Sequence, residues 1–462
     1  MKSFLKTLVL CMFPALLFVG SAQAQEAPKK DDDYYELMKT FAETFEQIER
    51  NYVNDIDRRE LMEAAIQGML QKLDRYSNYI GPRELEAFNE SMDQEFGGIG
   101  VQVDIDPTTG RLMVVSPLPG TPAYKAGLKA GDLIMEIGDQ STEGFSTRDA
   151  QNLLKGRPGD KVKIGVLHQG DEDVTSVEMV RAIIKMSTVL GDQYAPDAEW
   201  EYMLDPEHKI GFIRLTHFSN RSSEELQSAL KKLKEQDVKG LVLDLRFNPG
   251  GLLSQAVEIA DMFLEEGTIV STKGRNSPER SWTARKEGTI TDLPMAVLVN
   301  RYSASASEIL SASLQDHKRA AVIGERTWGK GSVQNVIPLD GEHSVLKLTT
   351  ASYHRPSGKN IHRDKNAKPE DEWGVTPDEK LAYKMTDKEI KDYFEYRRNR
   401  DILKEDGPPK SDFNDPHLKL ALDYLIKQIA GEADSTKPNP TKTGAEKPAE
   451  EKQTSSKSDS QE

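Results

Sequence analysis

Three short segments hold the residues whose types and spacing could do chemistry. In the first, Asn300-Arg301-Tyr302-Ser303-Ala304-Ser305-Ala306-Ser307-Glu308 joins the apolar run Met295–Val299 to a helical pattern. A strand-to-helix turn can present a serine hydroxyl beside the free N–H groups of a helix start, which stabilise a developing oxyanion. Small residues on both sides leave room for a substrate backbone. The same letters match the S-x-x-E capping box, which needs no catalysis. In the second segment, Gly324-Glu325-Arg326-Thr327-Trp328-Gly329-Lys330-Gly331 approaches the phosphate-cradling pattern G-x-x-x-x-G-K-[S/T]. Gly331 stands where a hydroxyl must meet magnesium, and Ser332–Ile337 alternates like a strand where a phosphate loop needs a helix. That reading is rejected. A lysine between two glycines allows close backbone approach, and the resulting burial lowers an ammonium pKa. Such a lysine can take a proton from a serine, although Gly-Lys-Gly alone also reads as a turn. The third segment, Asp244-Leu245-Arg246-Phe247-Asn248-Pro249-Gly250-Gly251, offers unobstructed amides for an oxyanion or an extended peptide, or is a plain tight turn. His217, His317, His354 and His362 are scattered without metal-ligand spacing. A Ser-His-Asp triad assembles in space, so spacing does not decide it.

The elements around these segments fall into distinct stretches. From Asp31 to about Glu95 the pattern is helical, with Tyr34, Leu37, Met38, Phe41, Phe45 and Ile48 on one face, an arm expected to pack or dimerise. From Phe96 to about Ala182 short strands dominate: Val101–Val103, Leu112–Val115, Leu133–Ile137 and Lys161–Leu167, with a helix over Thr147–Leu154. After Ile183 strands and helices alternate, which argues for an α/β core with layered helices. From Lys388 to Ile429 the chain reads as helical and charged, interrupted at Gly407-Pro408-Pro409.

The first residues read as a targeting segment: Lys2 and Lys6, an apolar run from Leu8 to Val19, then Ala22-Gln23-Ala24. The run is short for a membrane span. The protein is therefore expected to be exported, to the periplasm or beyond, and membrane-associated if the segment is retained. The single cysteine, Cys11, lies inside it, so the mature chain would carry no disulfide or cysteine metal site. Its position and neighbours do not favour lipidation. The final thirty or so residues are Lys, Glu, Ser, Thr and Pro, too poor in apolar groups to order. A formal charge of −15 repels phosphate backbones, which argues against nucleic-acid binding.

Taken together, S-A-S-A-S-E-I at Ser303–Ile309, G-K-G-x-V-Q at Gly329–Gln334, Asp244–Gly251, Phe96–Gly98 and Leu314-Gln315-Asp316 resemble the carboxyl-terminal processing peptidases, family S41 of serine proteases. The resemblance spans roughly residues 34–378 and implies an α/β multidomain protein. Its parts would be a signal peptide (1–24), an N-terminal helical region (25–95), an inserted β-rich PDZ domain (96–183), an α/β crotonase-like peptidase core (184–385), a C-terminal helical region (386–430) and a disordered tail (431–462). It implies Ser305 as nucleophile, Lys330 as general base and Gln334 as the residue orienting that lysine. The N–H groups of Ala306 and Gly251, preferred over Gly250, would form the oxyanion hole. Gly97, Gly98, Ile99 and Gly100 resemble the carboxylate-binding loop of a PDZ domain, in which a peptide adds as a strand. Arg157 would couple docking to catalysis. The implied activity is endopeptidase cleavage of exported proteins with accessible C-termini, without metal or cofactor; a homodimer is implied too, and no adaptor or regulator is identified. Trp328 replaces the usual Phe, and Phe247 fills a position more often polar. The rivals are a non-catalytic tail-binding scaffold, opposed by the presence of Ser305 and Lys330, and an acyl-CoA enzyme, opposed by the PDZ-like insert and export signal.

Overall fold

The computed structural model describes residues 32–276, 278–290, 292–404 and 407–431. The targeting segment with Cys11 and the low-apolar tail beyond residue 431 lie outside them.

Two units can be separated at residues 69 and 70. The first is helical. Helix α1 (Asp32–Asn51) is amphipathic, and it leaves Tyr34, Tyr35 and Leu37 more than half exposed. Helix α2 (Arg58–Leu70) follows.

In the second unit, the segment Glu95–Gly98 pairs antiparallel with Ala182–Lys185, so the chain enters and leaves a small β domain side by side. Between them, β1 (Val101–Ile105), β2 (Leu112–Pro117), β3 (Leu133–Ile137), β4 (Lys161–Leu167) and β5 (Thr175–Val180) form one antiparallel sheet in that order. Helix α3 (Thr147–Leu154) starts at Ser146, whose hydroxyl accepts the Asp149 N–H while Asp149 returns the bond. Ala150 and Leu154 bury its apolar stripe with Ile99, Leu112, Ile134 and Val166.

The larger body is layered. Strands β6 (Ile210–Leu215), β7 (Gly240–Asp244), β8 (Met295–Val299) and β9 (Ala321–Gly324) run parallel in chain order. Helices α4 (Ser222–Glu235), α5 (Leu253–Asp261) and α6 (Ala306–Asp316) supply its crossovers and cover one face. Alternate side chains point to the other face. Phe212, Val242, Ala296, Leu298 and Ile323 meet Ala421 and Leu425 of a late helix, α8, described below. Burial on both faces explains the nearly continuous apolar runs of these strands, which only Arg214 of β6 and Asp244 of β7 interrupt. Beside this layer, β10 (Ser332–Leu339) and β11 (Ser344–His354) form a hairpin within a second antiparallel sheet. Helices α7 (Asp387–Arg400) and α8 (Pro416–Ile429) end the described chain. The turns at the carboxyl ends of β7, β8 and β9 lie together, the usual place for a site in a parallel sheet.

Candidate active site

The turn after β8 is stitched to the turn after β7. Ser303 Oγ donates to the Leu245 carbonyl at 2.8 Å and accepts the Asn300 N–H at 3.0 Å. Ser307 Oγ donates to the Asn248 carbonyl at 3.0 Å, which also accepts the Ala304 N–H at 3.0 Å. These bonds give Ser303 and Ser307 structural tasks and leave Ser305 at the bend between strand and helix. Ser305 has φ 55° and ψ −114°, left-handed backbone that an L-residue adopts only under constraint. It is also the N-cap of α6, with Glu308 reaching back to its N–H, but its backbone is not the extended form usual for a cap. The constraint has a visible source: a Cβ on Gly250 would stand 2.7 Å from Ser305 Cβ, so only glycine admits this approach.

Two N–H groups near Ser305 form no hydrogen bond among the described residues. One is Ala306, the first residue of α6, which has no intrahelical acceptor. The other is Gly251. Its neighbour Gly250 donates to Asn248 Oδ1 at 2.8 Å, and Asn248 is held in turn by the Leu215 carbonyl at 2.7 Å.

Lys330 is brought in by a residue that sequence reasoning treated only as half of a cap. Glu308, fully buried in α6, accepts the N–H groups of Ser305 at 2.8 Å, Gly329 at 2.6 Å and Lys330 at 2.8 Å, plus the Thr327 hydroxyl at 2.5 Å. Ser305 and Lys330 share its Oε2, so their backbones lie two hydrogen bonds apart. Burial raises the Glu308 pKa, against the pull of the four donors. The signal for this role was a lone acid inside the otherwise uncharged stretch Ser305–Leu314.

Burial likewise pushes the Lys330 amine down to about 8, helped by the charge of Lys347 and opposed by Glu308. Its Nζ lies 5.3 Å from the centroid of the Tyr76 ring. Tyr76 is fixed by a turn in which Asp74 accepts the N–H groups of Tyr76 and Ser77 and the Ser77 hydroxyl. Among the described residues no hydrogen bond joins Lys330 Nζ to Ser305 Oγ, and no histidine bonds either side chain.

Among the described residues no hydrogen bond joins Gln334 to Lys330. Gln334 follows a bulge in β10, and its Nε2 donates to Ser332 Oγ at 2.8 Å and Thr349 Oγ1 at 3.2 Å. Arg157 forms no ion pair among the described residues. In the small domain, Gly98, Ile99 and Gly100 are buried. Their loop is braced by bonds from Ala123 N–H to the Ile99 carbonyl at 2.8 Å and from Leu118 N–H to that of Gly100 at 2.9 Å. The N–H groups of Ile99 and Gly100 themselves form no hydrogen bond among the described residues, as a carboxylate nest requires. Among the described residues no cluster of His, Asp or Glu is placed to hold a metal ion.

Comparison with known proteins places this geometry in context. Residues 209–381 match the model of peptidase family S41, residues 113–167 that of the PDZ domain, and residues 17–83 that of the activating protease CtpB N-terminal domain. The carboxy-terminal-processing protease of Bartonella bacilliformis is 37% identical over 372 residues, covering 79% of this chain and 80% of the relative. The carboxy-terminal processing protease CtpA of Bacillus subtilis is 33% identical, covering 80% and 76%. Among solved structures, the photosystem II D1 C-terminal processing protease is 29% identical over 76% of this chain and 86% of that one, with a TM-score of 0.43.

Proposed function

The chain belongs to peptidase family S41, the carboxy-terminal-processing serine proteases with a PDZ domain, and from that membership we propose that Ser305 and Lys330 are its nucleophile and general base. The observation that carries the proposal is a lysine amine buried to a pKa of about 8 whose backbone shares one carboxylate oxygen with that of a constrained serine at a helix start.

The reaction is acyl transfer. Neutral Lys330 takes the Ser305 proton, Oγ attacks the scissile carbonyl, and the leaving amine departs with a proton returned from Lys330. Water then attacks the acyl-enzyme with Lys330 again as base. The uncommitted N–H groups of Ala306 and Gly251 face the developing oxyanion. For proton transfer the amine must swing from the Tyr76 ring onto Oγ, a rotamer change that substrate binding would favour by filling the cleft. Orientation of Lys330 by Gln334 would use the amide oxygen Oε1, while Nε2 stays on Ser332 and Thr349.

Substrates in this reading are exported polypeptides with accessible C-termini. The terminal carboxylate sits on the Ile99 and Gly100 amides, and the tail adds along the outer edge of β1. The chain is itself exported through residues 1–24, and the apolar face of α1 serves as a homodimer contact. Ser305→Ala and Lys330→Ala should each abolish casein cleavage while the circular dichroism spectrum is unchanged. Full proteolysis by either variant would remove the assignment.

A further inference from the structure

Beside the Ser305 and Lys330 turns lies a cleft that the chemistry above does not use. Its volume, about 680 Å³, is within the range that holds ligands. Two of its walls belong to the catalytic segments: Tyr302 stands three residues before Ser305, and Trp328 two before Lys330. Both are partly exposed, at 44% and 41%, with Tyr302 stacked on Phe247 and the Arg75 guanidinium 5.4 Å from the Trp328 ring, and Tyr383 and Trp373 extend the aromatic lining.

Charge around this lining is one-sided. Arg301, Arg326, Arg363 and Lys384 border the cleft against a single lining carboxylate, Glu325. Arg301 is already engaged, 3.4 Å from Glu325 and 3.4 Å from Asp387. The other three form no ion pair among the described residues. Arg326 donates to the Pro369 and Asp371 carbonyls at 3.0 Å each, and its guanidinium lies 4.3 Å from the Trp373 ring. Arg363 lies 4.7 Å from the same ring. A guanidinium laid on an indole keeps its edge donors for a planar anion. Three cations bordering one cleft with no carboxylate in salt-bridge contact repel one another, and a bound anion relieves that repulsion. The lone lining acid is outnumbered: Glu325 is 8% exposed, with one oxygen toward Arg301, the other without a hydrogen bond, and its charge also acting on Lys384.

We propose that this cleft is a specificity subsite that takes a segment of the polypeptide substrate in which an Asp or Glu side chain neighbours an aromatic or aliphatic one. The acid meets Arg363 and Lys384, and the apolar neighbour lies on Trp328 and Tyr302. This inference rests on the peptidase reading, which supplies the substrate strand running past Ser305.

Binding and cutting are measured separately. The full chain carrying Ser305→Ala is titrated into fluorescein-labelled peptides that are amidated at the C-terminus, which removes the carboxylate the small domain would hold. One peptide carries Glu beside Phe, and its partner carries Gln beside Phe. The acidic peptide should bind about tenfold tighter, the scale of one or two charge-assisted hydrogen bonds, and the difference should shrink with added salt. Adding Arg363→Glu and Lys384→Glu, both exposed positions, should erase the preference; Arg363→Gln with Lys384→Gln should reduce it if the charge reversals disturb folding. Equal affinity for the two peptides, or a preference that survives these changes, would overturn the subsite. Casein cleavage by the chain with Ser305 restored tests the peptidase reading independently: a protein that prefers the acidic peptide but cuts nothing keeps the cleft as an acidic-peptide site and loses the catalytic assignment.

Discussion

A lysine acts as a base only through the fraction of its amine that is unprotonated, and burial sets that fraction for Lys330. With the amine near 8, only on the order of a tenth is neutral at pH 7, against well under a thousandth for an ordinary lysine. Peptide cleavage should therefore rise about tenfold per pH unit below 8 and level off above it. Because the Lys347 charge contributes to the lowering, Lys347→Gln should move the rising limb to higher pH. A kcat/KM profile whose limb instead falls near 6.5 and ignores Lys347 would point to histidine. Glu308 carries a second expectation. Glu308→Ala leaves three buried N–H groups without an acceptor, each costing about 1–3 kcal/mol. The variant should lose several kcal/mol in urea denaturation, and its activity should drop by about two orders of magnitude even where it is fully folded, because the backbones of Ser305 and Lys330 lose their common anchor. Wild-type turnover in the folded variant would show that the anchor is dispensable. Ser305 and Lys330 stand out in the sequence as candidates because their neighbours are small and because motif order is linear. Glu308 was legible only as a cap, since its bonds to residues 327–330 close across a β-strand that spacing does not measure. The placement of Gln334 was not legible: a bulge in β10 and two nearby hydroxyls decide where its amide goes.

At the scale of elements, the alternating strands and helices of the larger body followed from buried apolar runs separated by amphipathic stretches. The part that did not follow was the packing of the end of the chain. The stretch from Lys388 to Ile429 reads as helical and charged, and it is helical, but α8 closes the second face of the sheet with Ala421 and Leu425, and α7 inserts Arg397 onto Asp192. Its partners lie some two hundred residues earlier, so no local pattern reveals them. The joint between α8 and the candidate site is Arg246, almost fully buried and held between Asp244 at 2.6 Å and Asp415 at 2.8 Å. Asp415 also caps α8 by accepting the His417 and Leu418 N–H groups. Burial alone would raise the Asp415 pKa, but the charge and bonds of Arg246 hold it below the usual carboxylate range. Its contribution is therefore present at neutral pH and lost as pH falls below that range through the lowered pKa of the folded state. Asp415→Ala removes a cap and leaves a buried guanidinium half paired, which should cost about 3–5 kcal/mol at pH 7. Chemical denaturation should show that loss at neutral pH and a smaller one in acid. An equal loss at both would mean that packing, not the ion pair, holds α8.

The whole molecule sets the loop proposed to bind a tail and the turn proposed to be catalytic on separate sheets, with the small domain tied to the larger body at its two ends. Beyond those ends, α7 reaches the small domain: Arg398 pairs with Asp104 of β1 at 2.8 Å, and the Leu403 N–H donates to Ser116 Oγ of β2 at 3.2 Å. The ion pair is exposed and contributes little to stability, so the small domain's task is better tested at its loop than at this contact. Gly100 is the residue to change. It has φ 75°, and a Cβ there would stand 2.4 Å from the Thr121 Cβ, so a side chain must displace the backbone that presents the Ile99 and Gly100 amides. Gly100→Val should weaken binding of a peptide with a free apolar C-terminus by at least about tenfold, the loss of one or two hydrogen bonds to a carboxylate. The folding of the larger body should be unaffected, because the strain is confined to the small domain. Two substrates then separate recognition from chemistry. Cleavage of a long polypeptide with a free tail should slow in the variant, chiefly through KM, while cleavage of a short amidated peptide that cannot reach the loop should be unchanged. If both slow equally, the loop acts on the catalytic turn and not on the tail; if neither slows, the tail is recognised elsewhere.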